Sequence, residues 1–340
     1  MSTAILGIAA ALMVAHSAIA QEPIAQPSRQ IPIRPLGAVT AASNDTLGAQ
    51  VVVRALSNGR VLVNDAARRR VLLFDASLEH SAVVMDSAGT SGSAIATMLP
   101  SSQLIRFTGD STLYVDVASQ SLLVLDQLGK VARVMALPKP QDAMFLAFGP
   151  ELGTPAMDSR GRLVYRGVIV VPPRPPEPGA QATFQFPTPP DSAPIVRADF
   201  DTRTIDTLTT IKSFQPNAMS MTPDAQGNIT VKMTVNPMDA GDEWAMLSDG
   251  TVAVVRAHDY HIDWVDPDGS RRSTPKMPFD WKRVTAEQKQ FKIDSLRPLL
   301  ANRIANLPLR TIPTPDGPRK VTVQFDFVPI DKLPDYERPI

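Results

Sequence analysis

Two histidines separated by two residues, in His258-Asp259-Tyr260-His261, are the residues best equipped for chemistry in this chain. Asp263 follows them and Asp242-Glu243 precedes them. Imidazole and carboxylate together suit several divalent ions, and such an ion would support metal-assisted hydrolysis. His258, Asp259 and His261 are therefore the candidate metal ligands. Side chains alternate along a strand, so residues three apart point to opposite faces unless a turn separates them. Ordinary surface or packed histidines are the competing reading.

Other catalytic signatures are missing from the sequence. No G-x-S-x-G elbow, no G-x-x-x-x-G-K phosphate loop and no H-E-x-x-H zinc motif occurs. Repeated aspartates invite a calcium reading, yet each opens a turn, as in Asp126-Gln-Leu-Gly129 and Asp266-Pro-Asp-Gly269. A carboxylate there accepts backbone N–H groups, which explains repetition at every unit. A different kind of site sits in the stretch 172–194, where nine of 23 residues are proline. Proline cannot donate to a sheet ladder and favours an extended chain, so this stretch must leave the fold as a loop. If it is a binding arm rather than a surface excursion, Phe184 and Phe186 are its apolar contacts.

The elements that hold these residues are read from a recurrent spacing. A turn residue, two short apolar strands and an aspartate sixteen positions on run from Gly59 to Asp75, Asp110 to Asp126, and Gly250 to Asp266. A fourth copy starts at Gly161, is broken by the proline-rich insert, and resumes at Ile195 to end on Asp199. A partial copy lies at Met221 to Met233, and the alternating Val321, Val323, Phe325 and Phe327 reads as the start of another. Such periodic strand pairs predict an all-β fold, a β-propeller, in which no unit buries its faces alone. After the last full repeat, Thr285 and Gln288 form a capping-box pattern that opens a helical insert over 285–307. Phe291, Leu296, Leu299, Leu300, Ile304 and Leu307 are read as its packing face, with Lys289 on the polar side and Pro298 as a kink.

The segment WAMLSDGTVAVVRAHDYHIDWVDPDG (244–269), the helix after it and the terminal FVPIDKLPDYERPI resemble exported bacterial six-bladed β-propellers of the NHL-repeat and TolB-like group. The resemblance covers roughly residues 50–340. It implies a six-bladed ring and carries no residue roles. In that group the pattern after LPDY continues into further repeats, so the ring is expected to be C-terminally incomplete by about one or two blades, five irregular blades being the alternative.

With 340 residues, 44% hydrophobic, the chain can bury a large core. Lys plus Arg equals Asp plus Glu at 34 each, so no net field selects nucleic acid. Residues 4–15 form an apolar run too short to span a bilayer, followed by Ala18-Ile19-Ala20 before Gln21. No Lys or Arg precedes it. Residues 1–20 read as a signal peptide, 21–45 as a flexible leader and 46–340 as the propeller, placed in the periplasm or outside the cell. The absence of cysteine excludes disulfides, thiolate metal sites and a lipid-modified cysteine. The function expected is a binding or interaction scaffold for a protein, peptide or glycan, with no cofactor and no membrane insertion of the mature chain. The alternative is a metal-assisted hydrolase, lactonase or lyase using a divalent ion. N-terminal sequencing of the exported protein should begin at Gln21; a chain retaining Met1 would overturn the signal reading.

Overall fold

The computed structural model describes residues 35–48, 51–86, 103–147, 152–167, 184–185, 190–213, 219–305, 311–314 and 317–337. The apolar run expected to be a signal peptide, most of the stretch expected to be a leader, Phe186 and most of the proline-rich insert lie outside the described residues. Residues 35–40, in the unit Met1–Thr40, carry no helix or strand. All strands belong to the unit Ala41–Ile340.

The unit is a β-propeller built of four-stranded antiparallel sheets. Sheet A comprises β1 (Val51–Ala55), β2 (Val61–Asp65), β3 (Arg70–Phe74) and β4 (Ser81–Asp86) in chain order. Sheet B repeats the pattern with β5 (Leu104–Arg106), β6 (Thr112–Asp116), β7 (Ser121–Leu125) and β8 (Val131–Ala136). A short helix, α1 (Ala143–Leu146), leads to sheet C: β9 (Ala156–Met157), β10 (Leu163–Arg166), then, beyond β11 (Phe184–Gln185), β12 (Ser192–Ala198) and β13 (Ile205–Lys212). After β14 (Met219–Pro223) and β15 (Ile229–Val235), which belong to an accessory sheet D, sheet E holds β16 (Glu243–Met246), β17 (Val252–Arg256), β18 (His261–Val265) and β19 (Arg271–Ser273). The helix α2 (Ala286–Ala305), β20 (Thr311–Thr314) and β21 (Gly317–Phe327) follow.

The sixteen-residue spacing now has a cause. In sheets A, B and E it runs from the turn before the second strand to the turn after the third, and antiparallel order puts both turns at the same end of the blade. Gly250, at φ 89°, closes one such turn, its N–H donating to Leu247 O at 3.0 Å while Leu247 N–H donates to Thr251 O at 2.8 Å. A side chain there would face the penalty of a left-handed backbone. In sheet B, Asp110 takes this conformation without glycine, at φ 63°. The aspartates at the outer turns bind backbone: Asp126 Oδ1 accepts from Leu128 N–H at 2.8 Å and Lys130 N–H at 2.9 Å.

The core lies between consecutive sheets. Leu62 and Val71 of sheet A pack with Leu104 of sheet B, and Leu113, Val115 and Leu122 of B with Leu163 and Tyr165 of C. Ile195 and Ile211 of sheet C then meet Trp244, Val252 and Val254 of sheet E directly. The partial repeat expected at 221–233 is therefore not a blade between C and E. Its strands β14 and β15 join a separate five-stranded sheet, ordered β11-β14-β15-β21-β20. The strand read as the start of a further blade, β21, instead pairs in parallel with β15, Val231 opposite Val323 and Met233 opposite Phe325. Both strands alternate apolar and polar residues with the same phase, so in-register parallel pairing gathers Ile229, Val231, Val321 and Val323 on one face.

Two excursions feed this accessory sheet, and each returns to where it left. Gly167 N–H donates to Pro194 O at 2.8 Å, pinching the proline-rich insert at its base. Sheet C resumes at Ser192 rather than Ile195, because Pro194 lies where its carbonyl, not its missing N–H, is used. The second excursion is closed by Asp242: its N–H donates to Lys212 O at 2.7 Å, and its Oδ2 accepts from Lys212 N–H at 2.8 Å.

The helix α2 carries a reciprocal capping box, Thr285 N–H to Gln288 Oε1 at 2.9 Å and Gln288 N–H to Thr285 Oγ1 at 3.3 Å. Its packing face differs from the expected one. Phe291 is 72% and Leu299 65% exposed, whereas Lys289 and Ile293 are buried. At 100° per residue, 289, 293, 296, 300 and 304 share one stripe, and Phe291 lies about 200° round from Lys289. Lys289 Nζ donates to Leu333 O at 2.9 Å and to Asp335 Oδ1 at 2.8 Å, fastening the helix to the C-terminal segment. Pro298 sits inside the continuous helix.

Asp242→Ala removes acceptors for Lys212 N–H, Ala257 N–H and Arg256 at once, and should cost roughly 3 kcal/mol, the usual loss when one partner of a buried ion pair is deleted. Urea unfolding would register it, with Asp242→Asn falling between the variant and the wild type.

Candidate functional site

The innermost strands β1, β5, β9 and β16 and the turns after them frame a cavity of about 590 Å³. Val53, Leu104, Phe107, Met157, Met246 and Leu247 give it apolar walls. Its charged lining residues are Arg54, Arg106 and Asp158.

Asp158 is committed to its own turn. Oδ1 accepts from Arg160 N–H and Arg162 N–H, both at 2.9 Å, and Oδ2 faces the Arg162 guanidinium at 2.7 Å. Arg54, 8% exposed, crosses from sheet A to sheet B. Its Nε donates to Thr112 Oγ1 at 2.7 Å, one terminal nitrogen donates to Ser111 O at 2.9 Å, and Asp110 Oδ1 lies 3.6 Å away. Burial pulls the Arg54 pKa down, Asp110 opposes the shift, and Arg106 adds to it. Asp110 is also bound by Ser57, through N–H at 2.9 Å and Oγ at 2.8 Å to Oδ2, and these bonds hold its carboxyl below the usual range. Arg106 is exposed and makes no hydrogen bond or ion pair among the described residues.

The sequence-predicted residues lie elsewhere. Residues 257–260 form a turn, so the strand alternation that would separate the two imidazoles does not apply. His258 is exposed, Asp259 lies 3.4 Å from Lys276 Nζ, and His261 Nε2 lies 3.2 Å from Asp263 Oδ1. Asp242 and Asp263 are spent on Arg256, at 2.8 and 2.7 Å. Burial works against the Arg256 charge, but those two carboxylates outweigh it and raise its pKa. Among the described residues no group of three His, Asp or Glu is placed to hold a metal ion. Phe184 pairs through its backbone with Met221 at the edge of the accessory sheet, and Phe186 lies outside the described residues. Among the described residues no helix is long and apolar enough to cross a membrane.

The cavity cations were not singled out in the sequence. Their signal was an arginine inside an apolar inner strand, in VVVRA and LIR.

No protein-family model and no curated protein sequence matches this chain. Solved structures that it resembles include the nidogen/laminin complex, at 12% identity over 68% of this chain and 67% of that chain, TM-score 0.33. Others are virginiamycin B lyase from Staphylococcus aureus, at 9% over 67% and 85%, TM-score 0.30, and a gluconolactonase from Xanthomonas campestris, at 10% over 69% and 79%, TM-score 0.29. Likeness at this level carries no residue role to this chain.

Asp110 gives a pH test of the joint between sheets A and B. Its folded pKa is depressed, so its contribution to stability is complete above the ordinary carboxylate pKa of about 3.9 and is lost as pH falls through the folded value. Asp110→Asn should melt below the wild type at pH 7, and the difference should close under acid conditions; a gap that persists at low pH would remove the carboxylate from the joint.

Proposed function

We propose that this chain is an exported binding propeller that holds its ligand in the cavity framed by β1, β5, β9 and β16. One observation carries the reading: the only carboxylate among the cavity's described lining residues, Asp158, has both oxygens occupied by its own turn, and no histidine lines the space. General acid–base chemistry needs a group free to exchange a proton at the bound molecule. A shaped apolar space with a few fixed polar groups is what binding requires. Export rests on the apolar run at 4–15 and the Ala18-Ile19-Ala20 pattern. A peptide, a glycan or a small organic molecule fits the space better than a folded protein, which would have to use the outer loops.

Ala55 faces the cavity and is exposed, so Ala55→Trp fills the space without displacing core. Thermal shift against panels of peptides, glycans and organic acids should yield ligands for the wild type that Ala55→Trp no longer takes. Hydrogen exchange on such a complex should show protection over β1, β5, β9 and β16. Protection confined to the accessory sheet, or turnover of a lactone or ester panel, would overturn the reading.

A further inference from the structure

We infer, building on the cavity reading above, that the ligand carries a carboxylate, which Arg106 receives while the apolar body of the molecule lies against Leu104, Phe107, Met157, Met246 and Leu247. The inference starts from the charges that the walls leave uncompensated. Asp158 is neutralised by Arg162. Arg54 and Arg106 share one carboxylate, Asp110, and that carboxylate is itself bound by Ser57. One positive charge is therefore in excess at the cavity.

Arg106 is the residue that carries it. Arg54 is locked to Thr112 and Ser111, so its guanidinium serves the joint between sheets A and B. Arg106 lies on the neighbouring inner strand, is exposed towards the cavity, and makes no hydrogen bond or ion pair among the described residues. The two like charges are close enough to disfavour each other, a strain that an incoming anion relieves. Apolar walls of low dielectric strengthen that attraction.

A guanidinium offers parallel N–H donors that match either a carboxylate or a phosphate. The single excess charge decides between them. Among the described lining residues there is no lysine, and the one helical element that begins there is the three-residue 3-10 turn Thr108–Asp110, too short to present the N–H array of a phosphate site. A phosphate dianion is ordinarily met by several donors of that kind. A monoanion with an apolar body needs only one fork and the walls described.

The test uses the mature protein at low ionic strength, with 3-phenylpropionate, its neutral amide 3-phenylpropionamide, and phenyl phosphate as probes read by calorimetry or ligand-observed NMR. The carboxylate should bind at least about tenfold more tightly than the amide, the scale of one charge-assisted contact. Arg106→Gln should erase that preference, and Arg106→Lys should keep part of it. Arg106 is exposed, so these variants should fold as the wild type does, which circular dichroism checks. Carboxylate and amide binding equally, both blocked by Ala55→Trp, would overturn the carboxylate while leaving the cavity reading intact. Phenyl phosphate binding more tightly than the carboxylate would replace the carboxylate with a phosphate. No binding of any probe would overturn the carboxylate inference while the panels above still test the cavity, and binding that Ala55→Trp leaves unchanged would overturn both readings.

Discussion

Asp242 is the point on which the arrangement of the sheets depends. Its backbone and side chain close the base of the excursion that follows β13, so the chain re-enters sheet E beside the residue at which it left sheet C. Because the excursion costs the ring no space, Ile195 and Ile211 can pack directly on Trp244 and Val254. The same carboxylate anchors Arg256, which in turn reaches Thr210 O at 2.7 Å and Asp263. One buried acid thus sets the seam between two blades and takes up the groups around the histidine turn.

Arginine plays a recurrent part at the seams. Arg54 bridges sheets A and B, Arg203 reaches Leu137 O from sheet C, and Arg197 and Arg271 link sheets C and E through Pro267 O and Leu208 O. A guanidinium can satisfy a carbonyl on a neighbouring sheet while its alkyl stem stays among apolar residues. The carbonyls at blade edges have no ladder partner, so these contacts answer a need that every such fold has. Against that background Arg106 stands apart at the cavity: it belongs to an inner strand yet bridges nothing among the described residues.

Legibility in the sequence followed the range of each interaction. The blades were visible because turn glycines, turn aspartates and alternating strands are local, and the interval from Gly59 to Asp75 is set by one hairpin. The capping box at Thr285 and Gln288 was visible for the same reason. The burial of Lys289 is not legible locally, because its partners, Leu333 and Asp335, lie more than forty residues away. The parallel register of β15 with β21 and the pinch between Lys212 and Asp242 were hidden likewise. The cavity cations have no local signature, because residues from four separate strands meet there and no spacing in the sequence measures that convergence. His258, Asp259 and His261 stand out in the sequence by residue type; in the fold Asp259 pairs with Lys276, and the neighbouring acids Asp242 and Asp263 pair with Arg256.

The accessory sheet also fixes an order of events during synthesis. Its central pair joins β15 to β21, strands some ninety residues apart, and neither edge can substitute for the other. Sheets A, B and E close through neighbouring hairpins, and sheet C spans only the proline-rich insert, so each can form as the chain is made. The strand β15, by contrast, pairs early with β14 on one side but has its other edge open until residue 327 has left the ribosome. Through that interval the open edge of β15 offers its N–H and C=O groups to any other extended chain, a hazard that ends only when β21 docks.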